Sequence, residues 1–473
     1  MALLKLYNTE TKKKEEVQQK KNPILLYTCG PTVYDFAHIG NFRTYVFEDF
    51  LKRTLLFLGY KVRHVMNITD LDDKTIRGAN QKKISLQEYT EPFTKAFFED
   101  LSLMRILLAD AYPYATDYIG EIIAIIQDLL KKANAYIGND GSVYFSLRSF
   151  PTYGRLSHLK LQELKEGASQ RVCVDEYDKE SASDFVLWKS YDEKRDGPIY
   201  WESPFGKGRP GWHMECSAMA LKLLGNTIDI HCGGVDNIFP HHENEIAQSE
   251  SYTREPFVRI WAHSAHLLVE QKKMSKSLGN FYTVRDLTKK GYGGREIRFL
   301  LMQVHYRMQL NFTLLGLDAA RASLQRMKDF ILRLRTEKKE GVFGKIKECL
   351  QEAERGFTTA VADDLNISSA LSFLFDLIRE VNTLFDQEQI GKKESQEILK
   401  FLERIDQVLG FLPLQEEVEA VPEEVQKAFE KRNQARAEKN WKDADFFRKL
   451  IQEKGYLVED TPQGAVLKKR EVE

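Results

Sequence analysis

The residues with the clearest chemistry in this sequence are two cysteines, a histidine and a glutamate in three separate segments. Cys29 follows a short apolar run, Cys216 lies far downstream, and His241 and Glu245 are four residues apart. On a helix, that spacing places both side chains on one face. Thiolate, imidazole and carboxylate donors form a borderline-soft set that suits Zn²⁺. Spacing alone also allows each cysteine to be an ordinary buried thiol, because no Cys-x-x-Cys pair ties the set together.

Two further motifs could bind a nucleotide. His38-Ile39-Gly40-Asn41 stands where a predicted strand leads into a helix, and a helix N-terminus offers free N–H groups and a positive dipole end to phosphate. Glycine at position 40 would let a ligand approach the backbone. Lys273-Met274-Ser275-Lys276-Ser277 is a basic loop whose lysines could neutralise charge on departing pyrophosphate. Taken alone, either motif could be a solvated surface segment.

The elements around these motifs predict a parallel α/β sheet. Ile24–Thr28 indicates a strand, Thr44–Gly59 a helix and Lys61–Thr69 a second strand, which together form a βαβ unit. A similar strand, helix and two further candidate strands follow downstream, at Thr227–His231, His241–Ser251, Val258–His263 and Leu267–Glu270. The residues between the halves, which include an amphipathic helix at Thr116–Ala133, are predicted to form an insertion that splits the sheet.

Beyond Gly294 the apolar periodicity becomes helical. A linker is predicted at Gln415–Pro422, and a charged helix pair from Glu423 ends in a turn at Asp460–Gly464. The predicted helices are Arg295–Val304, Asp318–Glu337, Ile346–Phe357, Ser368–Gln387 and Glu394–Gly410.

Size and composition exclude several classes of protein. A chain of 473 residues predicts several domains. No apolar run reaches the ~18 residues that a membrane span needs, and the N-terminus lacks signal-peptide features, so we expect a cytoplasmic protein. Five scattered cysteines argue against a disulfide framework. A net charge of −1 provides no overall attraction to nucleic acid.

The two nucleotide motifs, in this order on a split sheet, resemble the HIGH and KMSKS signatures of the class I aminoacyl-tRNA synthetases. The similarity is greatest to the cysteinyl-tRNA synthetases and extends over nearly the whole chain, through Thr28–Tyr34, Met66–Asp70, Asp184–Lys189, Arg209–Met219, Phe239–Glu245 and Asp460–Gly464. The chain departs from the family in two places. Asn41 replaces the last histidine of HIGH and cannot carry a positive charge, and Val466-Leu467 replaces a more polar, Trp-containing end.

The resemblance implies an α/β fold with a Rossmann-type parallel-sheet catalytic domain split by an insertion, followed by an all-α bundle and a small C-terminal domain. The expected boundaries are 1–75 and 200–294 for the split catalytic domain, 76–199 for the connective insertion, 295–345 for a helical region that contacts the tRNA stem, 346–414 for a helical domain that binds the anticodon stem, and 423–473 for anticodon recognition.

The resemblance also implies ATP-dependent ligation of L-cysteine to tRNA(Cys) through a cysteinyl-adenylate. One Zn²⁺ per chain would select the substrate as its thiolate, Mg²⁺ would accompany ATP, and the insertion would not be an editing domain. We expect a monomer that does not bind membranes.

The family's functional residues match this sequence position by position. The metal ligands would be Cys29, Cys216, His241 and Glu245, with Cys232, His242 and Glu243 outside the set. Catalysis would use His38, Lys273 and Lys276, and ATP would contact Pro31, His38, Gly40, Asn41, Lys273, Ser275 and Lys276. Cysteine would contact Gly30, Thr69, Trp212 and Asp236. Trp212 would pack on the amino acid, or simply in the core; Asp236 would take the ammonium group, or simply cap a turn.

Two other functions remain open at this point. One is a ligase of the same fold that passes cysteine to an amino sugar, and the long helical C-terminal half argues against it. The other is a noncatalytic RNA-binding relative, which would not need to keep both nucleotide motifs and all four candidate metal ligands.

Overall fold

The computed structural model describes residues 2–19, 23–159, 184–275, 279–341, 344, 346–414, 423–438, 440–461 and 464–469. The chain divides into two compact units, Met1–Leu412 and Pro413–Glu473. Three sequence predictions lie outside the described residues: the role of Lys276, the linker at Gln415–Pro422 and the centre of the turn at residues 462–463.

The larger unit begins with mixed α/β structure. Its elements in chain order are β1 (Lys5–Asn8), β2 (Lys13–Glu16), β3 (Ile24–Thr28), α1 (Ile39–Phe57), β4 (Val62–Met66), α2 (Asp73–Lys82), α3 (Leu86–Leu103), α4 (Ile119–Lys131), β5 (Ala135–Ile137), β6 (Val143–Phe145), β7 (Phe185–Ser190), α5 (Glu193–Asp196), β8 (Gly208–Pro210), α6 (Trp212–Leu224), β9 (Ile228–Gly234), α7 (Val235–Asn237), α8 (Glu243–Thr253), β10 (Val258–Ser264), β11 (Leu267–Val269) and β12 (Lys272–Lys273).

The rest of the larger unit is mainly helical. It contains α9 (Val284–Lys289), α10 (Gly294–Met302), β13 (Leu310–Phe312), α11 (Leu314–Thr336), α12 (Ile346–Ala362), α13 (Ile367–Asp386) and α14 (Lys392–Leu409). The smaller unit contains α15 (Glu423–Ala437), α16 (Trp441–Glu453), β14 (Tyr456–Thr461) and β15 (Gly464–Lys469).

A four-stranded parallel sheet with the order β10-β9-β3-β4 organises the larger unit. Its strands bury apolar side chains such as Ile24, Leu26, Ile228 and Ile230, as expected for a parallel sheet covered on both faces. The predicted βαβ units, β3-α1-β4 and β9-α8-β10, are confirmed. Because carboxyl ends of parallel strands share one edge, the segments after all four strands meet at that edge.

The inserted region folds as a separate antiparallel sheet with the order β5-β6-β7-β8. Trp188 and Phe145 are fully buried in it. After β8 the Gly211 N–H donates to the carbonyl of Leu187 at 2.9 Å, and α6 begins at the next residue. The insertion thereby sets where α6 enters the core of the larger unit.

A buried ion pair joins α1 to the helical region. The Arg298 guanidinium is fully buried and contacts the equally buried Asp49 carboxylate. Its Nε also donates to the carbonyl of Leu409 at 2.8 Å, and Nη1 donates to that of Met104 at 3.2 Å. The charges of Arg298 and Arg53 hold the pKa of Asp49 below its usual value, although burial opposes this. One side chain thus connects α1, α10 and the ends of α3 and α14.

Most predicted elements are present, with shifted ends. The predicted strand Leu267–Glu270 exists as β11, but it belongs to a separate sheet with β12 and β13 rather than to the parallel sheet. The charged helix pair after Glu423 is present as α15 and α16, whereas the antiparallel pair β14 and β15 was not predicted. No helix in the described part of the chain is both long and apolar enough to cross a membrane.

The buried ion pair yields a test of stability. Arg298→Met should lower the free energy of unfolding by about 3–5 kcal/mol, because it leaves the Asp49 charge buried without its main partner. Urea unfolding followed by near-UV circular dichroism measures this. The matched control is Arg379→Met, which removes an exposed pair with Asp376 and should leave the midpoint nearly unchanged. Equal effects of the two substitutions would contradict the account.

Candidate active site

Four polar side chains converge below the carboxyl edge of the parallel sheet. Cys29 directly follows β3, Cys216 lies on α6, and Glu245 lies in the first turn of α8. His241 lies in an irregular turn over Ile238–His242 rather than in the predicted helix, because α8 begins only at Glu243. Its Nε2 nevertheless lies 3.0 Å from Glu245 Oε1, without the alignment of a hydrogen bond. Two donor atoms that face each other in this way fit a shared metal ligand set.

The structure adds a fifth donor to the predicted set. His242 Nε2 lies 3.2 Å from Cys29 Sγ, and donor atoms of Cys29, His241, His242 and Glu245 lie within 4.8 Å of one another. The Cys216 side chain is hydrogen-bonded to the side chains of both Cys29 and His241. Two overlapping tetrads can therefore be drawn, which differ in whether Cys216 or His242 is the fourth ligand.

Interactions within the cluster favour the metal-binding forms of Cys216 and Glu245 but the protonated form of His241. A hydrogen bond from the Cys29 thiol lowers the pKa of Cys216 to about 6. Although burial opposes both shifts, Glu245 and Cys216 raise the pKa of His241 to about 10, and His231 and His241 lower that of Glu245 to about 2. A thiolate and a carboxylate are thus held next to an imidazolium whose proton a cation would displace.

Further histidines support the cluster, and the sequence analysis did not identify them. His213 Nδ1 lies 2.8 Å from His241 Nδ1, and His231 Nε2 lies 3.0 Å from Glu245 Oε2. His242 Nδ1 lies 2.8 Å from His263 Nε2. Such contacts orient ligand side chains in metal sites. The density of histidines between positions 213 and 263, five of the ten in the chain, is the signal that could have revealed them.

The predicted amino-acid contacts surround the same cluster. The Trp212 ring is partly exposed and stacks on the His241 ring with centroids 4.1 Å apart. The Gly30 N–H donates to Asn67 Oδ1 at 2.9 Å, and a Cβ at Gly30 would lie 1.7 Å from the Asn67 carbonyl oxygen. The position therefore requires glycine. Thr69 is buried and accepts a hydrogen bond from Asn67 Nδ2 at 2.9 Å.

Pro31 joins the ends of β3 and β4. Its carbonyl accepts a hydrogen bond from the Thr69 N–H at 3.0 Å. Gly30, Pro31 and Thr69 are thereby brought together, whereas their predicted contacts with cysteine and ATP remain predictions. Asn67, which ties Gly30 to Thr69, is a positioning residue that the sequence analysis missed.

The first nucleotide motif forms the N-terminus of α1. His38 Nδ1 accepts a hydrogen bond from the Asn41 N–H at 3.2 Å, and Asn41 Oδ1 accepts one from the His38 N–H at 3.0 Å. This reciprocal cap explains why α1 starts at Ile39, ahead of the predicted Thr44. It also assigns the proton of the neutral His38 ring to Nε2.

The second motif lies against the first. The Ile39 N–H donates to the Tyr282 carbonyl at 3.0 Å, and the His38 ring meets the Phe281 ring edge-on at 5.2 Å. A Cβ at Gly40 would lie 2.9 Å from the His38 ring and 3.1 Å from the Met274 methyl. The absence of a side chain at Gly40 therefore leaves room for the His38 ring and the Met274 methyl to lie against its backbone.

Asn280 holds the described ends of the basic loop. Its Oδ1 accepts a hydrogen bond from the Ser275 N–H at 2.8 Å, and its Nδ2 donates to the Lys273 carbonyl at 3.2 Å. Lys273 itself is exposed and ends β12. The amide thus closes the base of the loop that contains both predicted lysines.

Asp236, the predicted partner of the ammonium group, pairs with a histidine. Its Oδ1 lies 3.3 Å from His266 Nε2. This contact, with the nearby side chains of Lys273 and His38, holds the pKa of Asp236 below its usual value although partial desolvation opposes it. The carboxylate therefore lies near both nucleotide motifs.

Comparison with known proteins identifies the family. Residues 15–322 match the model described as the catalytic domain of class I (C) tRNA synthetases, and residues 356–413 match the DALR domain. A cysteine–tRNA ligase of Protochlamydia amoebophila is 56% identical over 99% of this chain and 98% of its own length. One of Chlamydia felis is 58% identical over 98% of each chain.

A solved structure shows the same fold at much lower identity. Methionyl-tRNA synthetase of Mycobacterium tuberculosis, in complex with methionyl-adenylate, matches with a TM-score of 0.63 at 14% identity, over 82% of this chain and 92% of its own. The matched domain models and the near full-length relatives together establish the family. The chain belongs to the class I aminoacyl-tRNA synthetases, among the cysteine–tRNA ligases.

Proposed function

We propose that this ligase activates cysteine with ATP as cysteinyl-adenylate and then transfers the cysteinyl group to the 3′-terminal adenosine of tRNA(Cys). We further propose that one Zn²⁺ per chain, held by Cys29, Cys216, His241 and Glu245, selects the substrate. The observation that carries the proposal is the convergence of these four side chains from the end of β3, from α6 and from the start of α8.

The cluster suits Zn²⁺ by its chemistry. Two sulfur donors, one imidazole and one carboxylate form a borderline-soft set, and the close approach of His241 to Glu245 without an aligned hydrogen bond fits two ligands of one ion. When bound, Zn²⁺ supplies a Lewis acid that accepts the substrate thiolate and has no equivalent bond for the serine hydroxyl. A site that depends on such a bond can discriminate by about 10⁴–10⁵-fold without proofreading, so residues 76–199 need not edit.

The remaining contacts hold the amino acid in place. Trp212, already stacked on His241, packs on the substrate side chain, and Asp236 accepts the ammonium group. Gly30 and Thr69 line the floor of the cysteine-binding pocket. Because Gly30 has no side chain, its backbone can lie close to that of Asn67. The substrate carboxylate is thereby directed toward the nucleotide motifs.

Activation needs positioning and charge rather than a protein nucleophile. The substrate carboxylate attacks the α-phosphate in line and pyrophosphate leaves. His38 donates from Nε2 to the phosphate, while Pro31, Gly40 and Asn41 form the surface beneath ATP. Lys273, Ser275 and Lys276 bind the leaving phosphates as their charge grows. Mg²⁺ accompanies ATP.

The tRNA is proposed to lie along the helical half of the chain. Residues 295–345 would contact the stem, 346–414 the anticodon stem and 423–473 the anticodon, with 1–75 and 200–294 as the split catalytic domain. A net charge of −1 means that local basic faces must make these contacts. We propose that the enzyme acts as a monomer in the cytoplasm.

Substitution of single ligands distinguishes the two possible tetrads. Cys216→Ser should remove bound zinc and the preference for cysteine over serine, whereas His242→Gln should keep one zinc per chain. Metal content is measured by plasma mass spectrometry, and selectivity by ATP–pyrophosphate exchange with each amino acid. Cys349→Ser, a cysteine outside the cluster, is the matched control and should behave like wild type.

The reverse pattern would reject the proposed set. If Cys216→Ser kept one zinc and full selectivity while His242→Gln lost both, the fourth ligand would be His242. If neither substitution changed zinc content, the cluster would not be the metal site at all.

The hydrogen bonds of the Asn280 side chain to Ser275 and Lys273 give a test of the proposed phosphate-binding loop. Asn280→Ala should lower kcat for cysteine-dependent ATP–pyrophosphate exchange by about 10²-fold, because misplacing catalytic groups by about 1 Å has an effect of that size, and should leave zinc content unchanged. Asn226→Ala is the control, since that amide bonds only to the exposed side chain of Glu255 in the hydrogen bonds described. Unchanged kcat for Asn280→Ala would contradict the proposed role of the loop.

A further inference from the structure

His266 and Asp236 meet because of the register of two neighbouring parallel strands. Gly234 at the end of β9 pairs with Ser264 at the end of β10. Asp236 and His266 each lie two residues beyond that pair, so both follow the same edge of the sheet at the same height. This edge is where open α/β sheets bind ligands. His266 lies outside both nucleotide motifs and outside the candidate metal ligands.

The backbone on both sides of His266 is fixed. The Ala265 N–H donates to the Tyr306 carbonyl at 2.8 Å, and the His266 carbonyl accepts from the Leu310 N–H at 3.3 Å. One residue earlier, Ser264 Oγ lies 2.8 Å from Thr44 Oγ1. The imidazole is therefore presented from a rigid segment, and the 3.3 Å contact with Asp236 Oδ1 defines the direction of the carboxylate.

The pair is largely exposed and contributes little to folding. Half of the His266 side chain and 79% of the Asp236 side chain are exposed, and exposed ion pairs add little stability. An unanchored carboxylate here would not stay in place, because the Lys273 ammonium attracts the same group. Loss of the imidazole would let Asp236 turn toward the phosphate-binding loop.

We propose that His266 is a positioning residue that holds Asp236 Oδ1, so that Oδ2 accepts the ammonium group of cysteine and Lys273 stays available to ATP. The inference rests on the proposed contact between Asp236 and that ammonium group. It assigns a role in substrate binding to a histidine that does not itself touch the reacting atoms.

The test is a kinetic comparison of His266→Leu, His266→Gln, Asp236→Asn and the double variant Asp236→Asn/His266→Leu in cysteine-dependent ATP–pyrophosphate exchange. His266→Leu should raise KM for cysteine about tenfold, the loss expected for one hydrogen bond to a charged group, with kcat within about twofold. His266→Gln keeps an N–H donor and should recover most of the affinity. The double variant should bind cysteine no worse than Asp236→Asn alone.

The matched control is a histidine far from the proposed cysteine-binding pocket in sequence. His158→Leu removes an exposed histidine that contacts the Thr9 carbonyl and should leave both KM values unchanged. A KM within twofold of wild type for His266→Leu, no recovery in His266→Gln, or multiplied effects in the double variant would each overturn the inference. If Asp236→Asn is too slow to measure, the Leu and Gln variants decide.

The same measurements separate this inference from the proposed ammonium contact. If Asp236→Asn raises KM for ATP and leaves that for cysteine unchanged, the ammonium contact is wrong. His266 is then judged by whether its substitution shifts KM for ATP through Asp236. If Asp236→Asn weakens cysteine binding and His266→Leu does not, only the inference about His266 fails.

Discussion

The rest of the structure depends on the packing of two thiols, an imidazole and a carboxylate against one another, of which only the Cys29 thiol is partly exposed. Taking such groups out of water is unfavourable unless they bond to each other or to a metal. Cys29, Cys216, His241 and Glu245 come from the end of β3, from α6 and from the start of α8. The parallel sheet and the entry of α6 through Gly211 bring these segments together, and the histidines behind them hold the rings and the carboxylate in place.

A single edge of the sheet serves both halves of the proposed chemistry. The segments after β3 and β9 carry Cys29, Asp236, His241 and Glu245, and the segment after β10 carries His266. Cys216 lies on α6, and the basic loop follows β12 of the separate three-stranded sheet. The cap between His38 and Asn41 lies against the chain that follows this loop. The residues proposed for amino-acid selection and for phosphate binding therefore lie on one frame, and the Arg298–Asp49 pair connects that frame to the helical region.

The sequence predicted the βαβ units and most helices because buried parallel strands and amphipathic helices leave strong apolar patterns. The predicted start of α1 at Thr44 was wrong, because the helix begins at Ile39 after a cap formed by His38. A polar cap of this kind leaves no pattern of apolar residues in the sequence. His241 and Glu245 lie close together, as their four-residue spacing predicted. The predicted cause was wrong, however, because His241 precedes the helix instead of lying in it. His242 and the supporting histidines depend on three-dimensional packing that no spacing reveals. The pair β14 and β15 was missed because charged residues lie near the end of each strand and leave only a brief apolar run. His266 was missed because only strand register places it beside Asp236.

The central claim is that cysteine is chosen by a bond between its sulfur and a protein-held zinc ion. X-ray absorption at the zinc edge counts sulfur ligands directly, in the zinc-loaded enzyme with and without substrate. The account predicts two sulfur ligands in the free enzyme, three after addition of cysteine, and two after addition of serine. A sulfur count that stays the same when cysteine is bound would contradict it.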